Sequence, residues 1–119
     1  MSVQQSNFKF LKGVNDILYR IALAAEKNFP DDPNTTLVKL RMFGEASAKH
    51  IAKLLDIQIP DTQLELTREL AKIAWVDDSI INVFHSLRKV GNQAVHDYHN
   101  AIEDAEMALR LAFRLRICS

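Results

Sequence analysis

The chain is poor in several features that would assign it to a particular class of protein. Cys118 is its only cysteine, which excludes a disulfide framework or a cysteine-rich zinc site within one chain and makes a reducing, cytoplasmic location the expectation. The first residues are polar and lack the apolar stretch of a signal peptide. No apolar run approaches the roughly 20 residues that a membrane-spanning helix needs. We therefore expect no membrane partner.

Net charge and glycine loops are also missing. The chain has 15 basic and 15 acidic residues, a formal net charge of zero, and so offers no general reason for tight binding of nucleic acid. Its 3 glycines, Gly13, Gly44 and Gly91, are isolated from one another, so no glycine-rich phosphate-binding loop is present. The sequence therefore indicates no nucleotide chemistry, and we expect no cofactor.

What remains is a composition typical of helices. With 119 residues the chain is long enough for a single domain over residues 1–119, with a core over about 7–117. Leu, Ala, Lys and Glu are abundant, whereas Gly and Pro are scarce. We predict an all-α fold, an antiparallel bundle of four longer helices and one short helix. The predicted helices are 7–28, 35–55, a short one from 62 to about 73 or 75, 77–90 and 101–118.

The segment 77–100 carries most of the polar groups that could perform chemistry, including three of the 4 histidines. Residues three or four apart share a helix face, and the segment has two such faces. The apolar face consists of Ile80, Val83 or Phe84, Leu87, Val90 and Ala94, and the polar face of His85, Arg88, Asn92, His96 and His99. Gly91 is predicted to end this helix; the alternative is that the helix continues to His96 or beyond.

The polar face has a catalytic and a structural interpretation. His96 could take a proton from a ribose 2′-hydroxyl, Arg88 could stabilise phosphate charge and Asn92 could orient both, which would make a metal-independent RNase. Alternatively, Asn92 and His96 bond the nearby backbone and fix the junction of the last two helices. Residue chemistry alone favours the structural interpretation.

Metal binding and nucleic-acid binding are the other candidate roles. His85, His96 and His99 are weak candidate metal ligands, but zinc sites usually draw ligands from two elements and no second cluster is present, so no metal site is predicted. A nucleic-acid interface would use cations near the chain's end and on the fourth helix. These are Arg88, Lys89, Arg110, Arg114 and Arg116.

Three segments together resemble a known family. They are FPDDPNTTLVKLRMFGE at 29–45, FHSLRKVGNQAVHD at 84–97 and AEMALRLAFRL at 105–115. The combination resembles the small helical domain, of unknown function, at the N-terminus of the R subunit of type I restriction enzymes and related DEAD/DEAH-type helicases. The resemblance covers about residues 7–117 and implies a place in a restriction–modification or defence-type system. The chain could be a part of such a subunit or a stand-alone version.

The resemblance also implies a relation to HEPN helical domains, many of which are RNases with an Arg, a polar residue and a downstream His. Asn92 matches the polar position and His96 the histidine, but Gly91 stands where the Arg is expected. This departure favours a non-catalytic docking module with a protein partner or a second copy of the chain. The alternatives are an RNase using His96, Arg88 and Asn92, and a nucleic-acid-binding module.

Overall fold

The computed structural model describes residues 8–73, 76–97 and 102–115. A short 3₁₀ turn at Lys9–Leu11 precedes five helices: α1 (Asp16–Asn28), α2 (Pro33–Leu54), α3 (Gln63–Ala71), α4 (Asp78–Asp97) and α5 (Ile102–Phe113). Within the described ranges there is no strand, which confirms the all-α prediction, and α3 is the short helix. Trp75, His99, Arg116 and Cys118 lie outside the described residues. No described helix is long and apolar enough to cross a membrane.

The second helix, α2, is the centre of the bundle, because it packs against each of the other four helices. Asp32 caps its start by accepting a hydrogen bond from Thr35 N at 3.2 Å, and Pro33 occupies the first turn, where the missing N–H of proline costs nothing. The helix therefore starts two residues before the predicted position. Its inward residues Leu37, Leu40, Ala48 and Ala52 have no exposed surface.

Two of these helices, α1 and α4, run antiparallel to α2. Asn15 at the start of α1 lies 3.2 Å from His50 near the end of α2. At the other ends of the two helices, Thr36 donates to Ala25 O at 2.8 Å. On α4 the contacts follow the opposite order: Asn34 reaches Ala94, and farther along α2 Gly44 lies against Leu87.

The prediction of a continuous first helix from residue 7 was wrong, since α1 begins only at Asp16. Gly13 has a φ of +83°, a left-handed conformation that interrupts the helix. Asn15 then caps α1, with its side chain accepting from Leu18 N at 3.1 Å. Val14, which the periodic pattern places inside, is 56% exposed.

The prediction that Gly91 ends the fourth helix was also wrong; the alternative was right, because α4 continues through Gly91 to Asp97. Gly91 is buried against Arg41 of α2, and a Cβ built on Gly91 would lie 2.3 Å from the Arg41 Cβ. The lack of a side chain at Gly91 therefore allows α2 and α4 to approach each other closely.

Two further boundaries differ from the predicted ones. The third helix ends at Ala71, two to four residues early, and of the two candidate caps at its start, Asp61 and Thr62, it is Thr62 that caps it. The last helix ends at Phe113 and is followed by a 3₁₀ turn at Arg114 and Leu115. Its predicted cap, Asn100, lies outside the described residues.

Candidate functional site

The candidate site is the seam where the polar face of α4 meets the first half of α2. Arg41 of α2 donates from Nη1 to Oδ1 of Asn92 at 3.1 Å. Two residues farther along α4, the Asn34 side chain donates to Ala94 O at 2.9 Å. Two polar side chains of α2 are thus bonded to α4 across a largely apolar contact.

Arg41 is a site residue that the sequence-based reasoning missed. Its stem lies on the surface of Gly91, which has no side chain to displace it, and its guanidinium reaches the next residue, Asn92. A signal was present in the sequence. Asn34, Leu37, Arg41, Gly44 and Ala48 follow steps of three and four, so two polar residues stand within an inward-facing stripe of α2.

The predicted polar face of α4 exists as a helix face, but its members differ in environment. Arg88 and Asn92 are half-buried, whereas His96 is exposed; each lies about one turn from the next. Asn92 has a side-chain partner on another helix, so its carbonyl oxygen holds α2 and α4 together. The structural interpretation had placed this bond on the nearby backbone instead.

His85 lies in a positive environment. Its pKa is lowered from the ordinary value of 6.5, first because burial disfavours the charged ring and then because Arg88, Lys89 and Arg68 repel the proton. Arg68 belongs to α3, so this region draws cations from two helices. None of the causes that shift this pKa is a carboxylate.

The arginines of the seam are not neutralised by acids. Among the described residues no carboxylate forms an ion pair with Arg41, Arg68, Arg88 or Lys89. The Nε atoms of Arg41 and Arg88 are buried without a hydrogen-bond partner there. Packing of the stems, rather than an acidic partner, holds these two guanidinium groups.

The remaining predicted cations are placed differently. Arg110 on α5 pairs with Glu106 at 3.0 Å, in an exposed bridge one turn long, and Arg114 is exposed in the turn after α5. Arg88 and Lys89 thus lie with Arg68 around His85, whereas Arg110 already has an anionic partner.

The distance between His85 and His96 is not compatible with a shared metal. His85 and His96 are eleven residues apart on one helix, which separates them by about 16 Å along its axis. No group of three or more His, Cys, Asp or Glu side chains that could hold a metal ion occurs among the described residues.

Comparison with known proteins finds that the chain is similar in sequence to one subunit of a restriction enzyme. The chain is 64% identical over 115 residues to the type I restriction enzyme EcoKI endonuclease subunit of Escherichia coli strain K12. The match covers 97% of this chain but 10% of that subunit, and it falls in the subunit's N-terminal part, which confirms the resemblance to the R-subunit domain. No protein-family model and no solved structure matches the chain.

Proposed function

From its homology to the N-terminal part of a type I restriction enzyme endonuclease subunit, we propose that this chain is a non-catalytic docking module of a restriction–modification system. Its partner is the remaining part of such an endonuclease subunit. In the EcoKI subunit the matching segment is one-tenth of a much longer chain, so the segment there has a large body of protein to pack against.

The observation that carries the non-catalytic role is the bond between Arg41 and Asn92. An RNase of the predicted kind would need Asn92 to orient His96 or Arg88. Here the Asn92 oxygen accepts from Arg41 at 3.1 Å, and Gly91 leaves the room that the Arg41 stem occupies. Gly91 and Asn92 therefore hold α2 against α4. Because this is a structural role, it supports docking over catalysis.

Exposed apolar residues at the start of α1 are our candidate for the surface that contacts the partner. Val14 and Ile17 are 56% and 69% exposed, and they are three residues apart. Exposed apolar side chains that lie together are typical of sites that another protein covers. We assign this pair to the contact with the large subunit.

Association can be measured directly. The EcoKI endonuclease subunit without its matching N-terminal segment is mixed with the purified chain and followed by sedimentation velocity. We expect a complex, and Ile17→Asp should weaken it at least about 10-fold, since a charge would be buried at the contact. Met107→Asp is the matched control, because Met107 is a similarly exposed apolar residue, on α5. A folded chain that does not associate contradicts the docking role.

An RNase is the second candidate, favoured by one observation. Arg88, Asn92 and His96 lie about one turn apart on one face of α4. Such an enzyme would use His96, Arg88 and Asn92 and would act as a dimer. The test is cleavage of RNA in EDTA by the wild type and by His96→Ala. We expect none; cleavage that His96→Ala abolishes would replace the docking proposal.

A further inference from the structure

Acidic residues are absent from both helix segments that form the seam. No Asp or Glu occurs from Pro33 to Gly44 on α2 or from Ser79 to His96 on α4. The chain as a whole has equal numbers of acids and bases, so its neutrality conceals a local excess of positive charge.

Four cations from three helices contribute to that excess. Arg41 of α2 and Arg88 of α4 flank the same turn of α4, because Arg41 lies on Gly91 and bonds Asn92, three and four residues after Arg88. Lys89 follows Arg88 and is exposed, as is Arg68 of α3. Both act on His85 together with Arg88, so these three charges lie near one ring, and Arg41 adjoins them at the turn of α4 that follows Arg88.

Keeping these cations in one region without an ion pair among the described residues costs free energy. The cost is greatest for Arg41 and Arg88, whose Nε atoms are buried without a partner. A bound anion would offset it, since guanidinium groups donate in pairs to oxyanions. The exposed part of the surface is where the anion would lie.

We propose that Arg41, Arg68, Arg88 and Lys89 form a binding surface for the phosphate backbone of nucleic acid. Several cations distributed over three helices, with no acid on the facing segments of α2 and α4, suit a ligand that repeats its negative charge at regular intervals. An acidic segment of a protein would present single carboxylates. The function goes beyond docking: the module would touch nucleic acid while it is attached to a larger subunit.

The expected binding is weak, not specific for sequence, and strongly dependent on salt. We would measure the anisotropy of a labelled DNA duplex titrated with the 119-residue chain between about 50 and 200 mM salt. A logarithmic plot of affinity against salt should fall with a slope of about −3 to −4 if each of the four cations neutralises one phosphate. An RNA duplex of the same sequence in parallel distinguishes the two sources of phosphate backbone.

Charge-removing variants locate the surface. Arg68→Gln with Lys89→Gln changes only exposed side chains, so the fold should survive; we expect the slope to become shallower by about two and the affinity to fall about 10-fold or more at low salt. Arg110→Gln with Lys72→Gln removes the same charge from residues that pair with Glu106 and Glu69, and should leave binding nearly unchanged.

Three outcomes would overturn the proposal. One is the absence of binding by the folded chain at low salt. Another is an equal loss of affinity in the control variant, which would place binding elsewhere. The third is a polyglutamate peptide that binds as tightly as DNA and displaces it, which would assign the surface to an acidic protein. The docking role is tested by sedimentation with Ile17→Asp, so either proposal can fail while the other stands.

Discussion

Gly91 is the residue at which the contact between α2 and α4 is most sensitive to substitution. Gly91→Ala places a Cβ 2.3 Å from the Arg41 Cβ, at the root of a side chain that cannot swing away. Overpacking of this kind costs about 1–3 kcal/mol, whereas the helix preference of Ala offsets about 1 kcal/mol. We expect a net loss of up to about 2 kcal/mol in the free energy of unfolding, measured by urea denaturation.

Gly44→Ala is the matched control for that substitution. The added Cβ would lie 3.3 Å from Leu87 Cδ1, a mobile methyl group, so a shift of a few tenths of an ångström accommodates it. The change in stability should be clearly smaller than for Gly91→Ala. Equal effects would show that the space at Gly91 is not specific to Arg41.

His85 makes the stability of the domain depend on pH. Burial and neighbouring cations hold the pKa of the folded ring below 6.5, so folding favours the neutral ring. As the pH falls, the unfolded chain takes up the proton first. The stability from His85 is therefore fully present above about pH 6.5 and is lost as the pH falls through the lowered pKa.

The test compares wild type with His85→Gln by chemical denaturation at about pH 8 and about pH 5. Other titrating groups are common to both proteins, so they cancel in the difference between them. We expect the wild type to lose stability relative to His85→Gln at the lower pH. A difference that does not change with pH, or that changes in the opposite direction, contradicts this account.

At the scale of the elements, Arg41 and Asn92 couple two helices that are distant in sequence. Hydrogen bonds to a charged group contribute about 1.5–3 kcal/mol, and solvent reduces this value because the pair is only partly buried. A double-mutant cycle of Arg41→Met and Asn92→Ala should give a coupling of about 1 kcal/mol. Met keeps much of the stem that packs on Gly91, so the cycle isolates the bond.

The cycle on Arg110→Met and Glu106→Ala serves as its reference. That pair is exposed and lies within one helix, where such pairs contribute less than about 0.5 kcal/mol. Equal coupling in the two cycles would mean that the Arg41–Asn92 bond contributes no more than a surface contact, and the argument for a non-catalytic Asn92 would lose its support.

The buried faces of the helices were predictable because apolar residues recur every three or four positions along the sequence. The helix ends and the site depend instead on contacts between helices. Leu37, Leu40, Leu87 and Ala94 are buried as their spacing indicates. Near the N-terminus the pattern misled, since Phe8 and Leu11 face the core from a 3₁₀ turn and not from a helix. Glycine commonly follows the end of a helix, so the sequence suggested an end at Gly91. Only the proximity of Arg41 explains why Gly91 lies inside α4.

The part of the candidate site that lies on α4 was predictable from the sequence. The spacing of Arg88, Asn92 and His96 gives their common face on α4. Arg41 and Arg68 come from α2 and α3, and their position beside that face follows from how three helices pack. The formal net charge, a sum over the whole molecule, could not reveal a surface that lacks acids.

At the scale of the whole molecule, the turn before α1 closes the core. Phe8 is 1% exposed and contacts Phe43 of α2 and Phe113 of α5, with ring centroids 5.4 and 6.0 Å apart. Phe8→Ala should therefore cost about 3–5 kcal/mol, a large fraction of the stability of a domain of this size. Phe10→Ala is the control, since Phe10 is only half-buried and should lose less. Differential scanning calorimetry would measure both; a small loss for Phe8→Ala would mean that the five helices form a stable bundle without this turn.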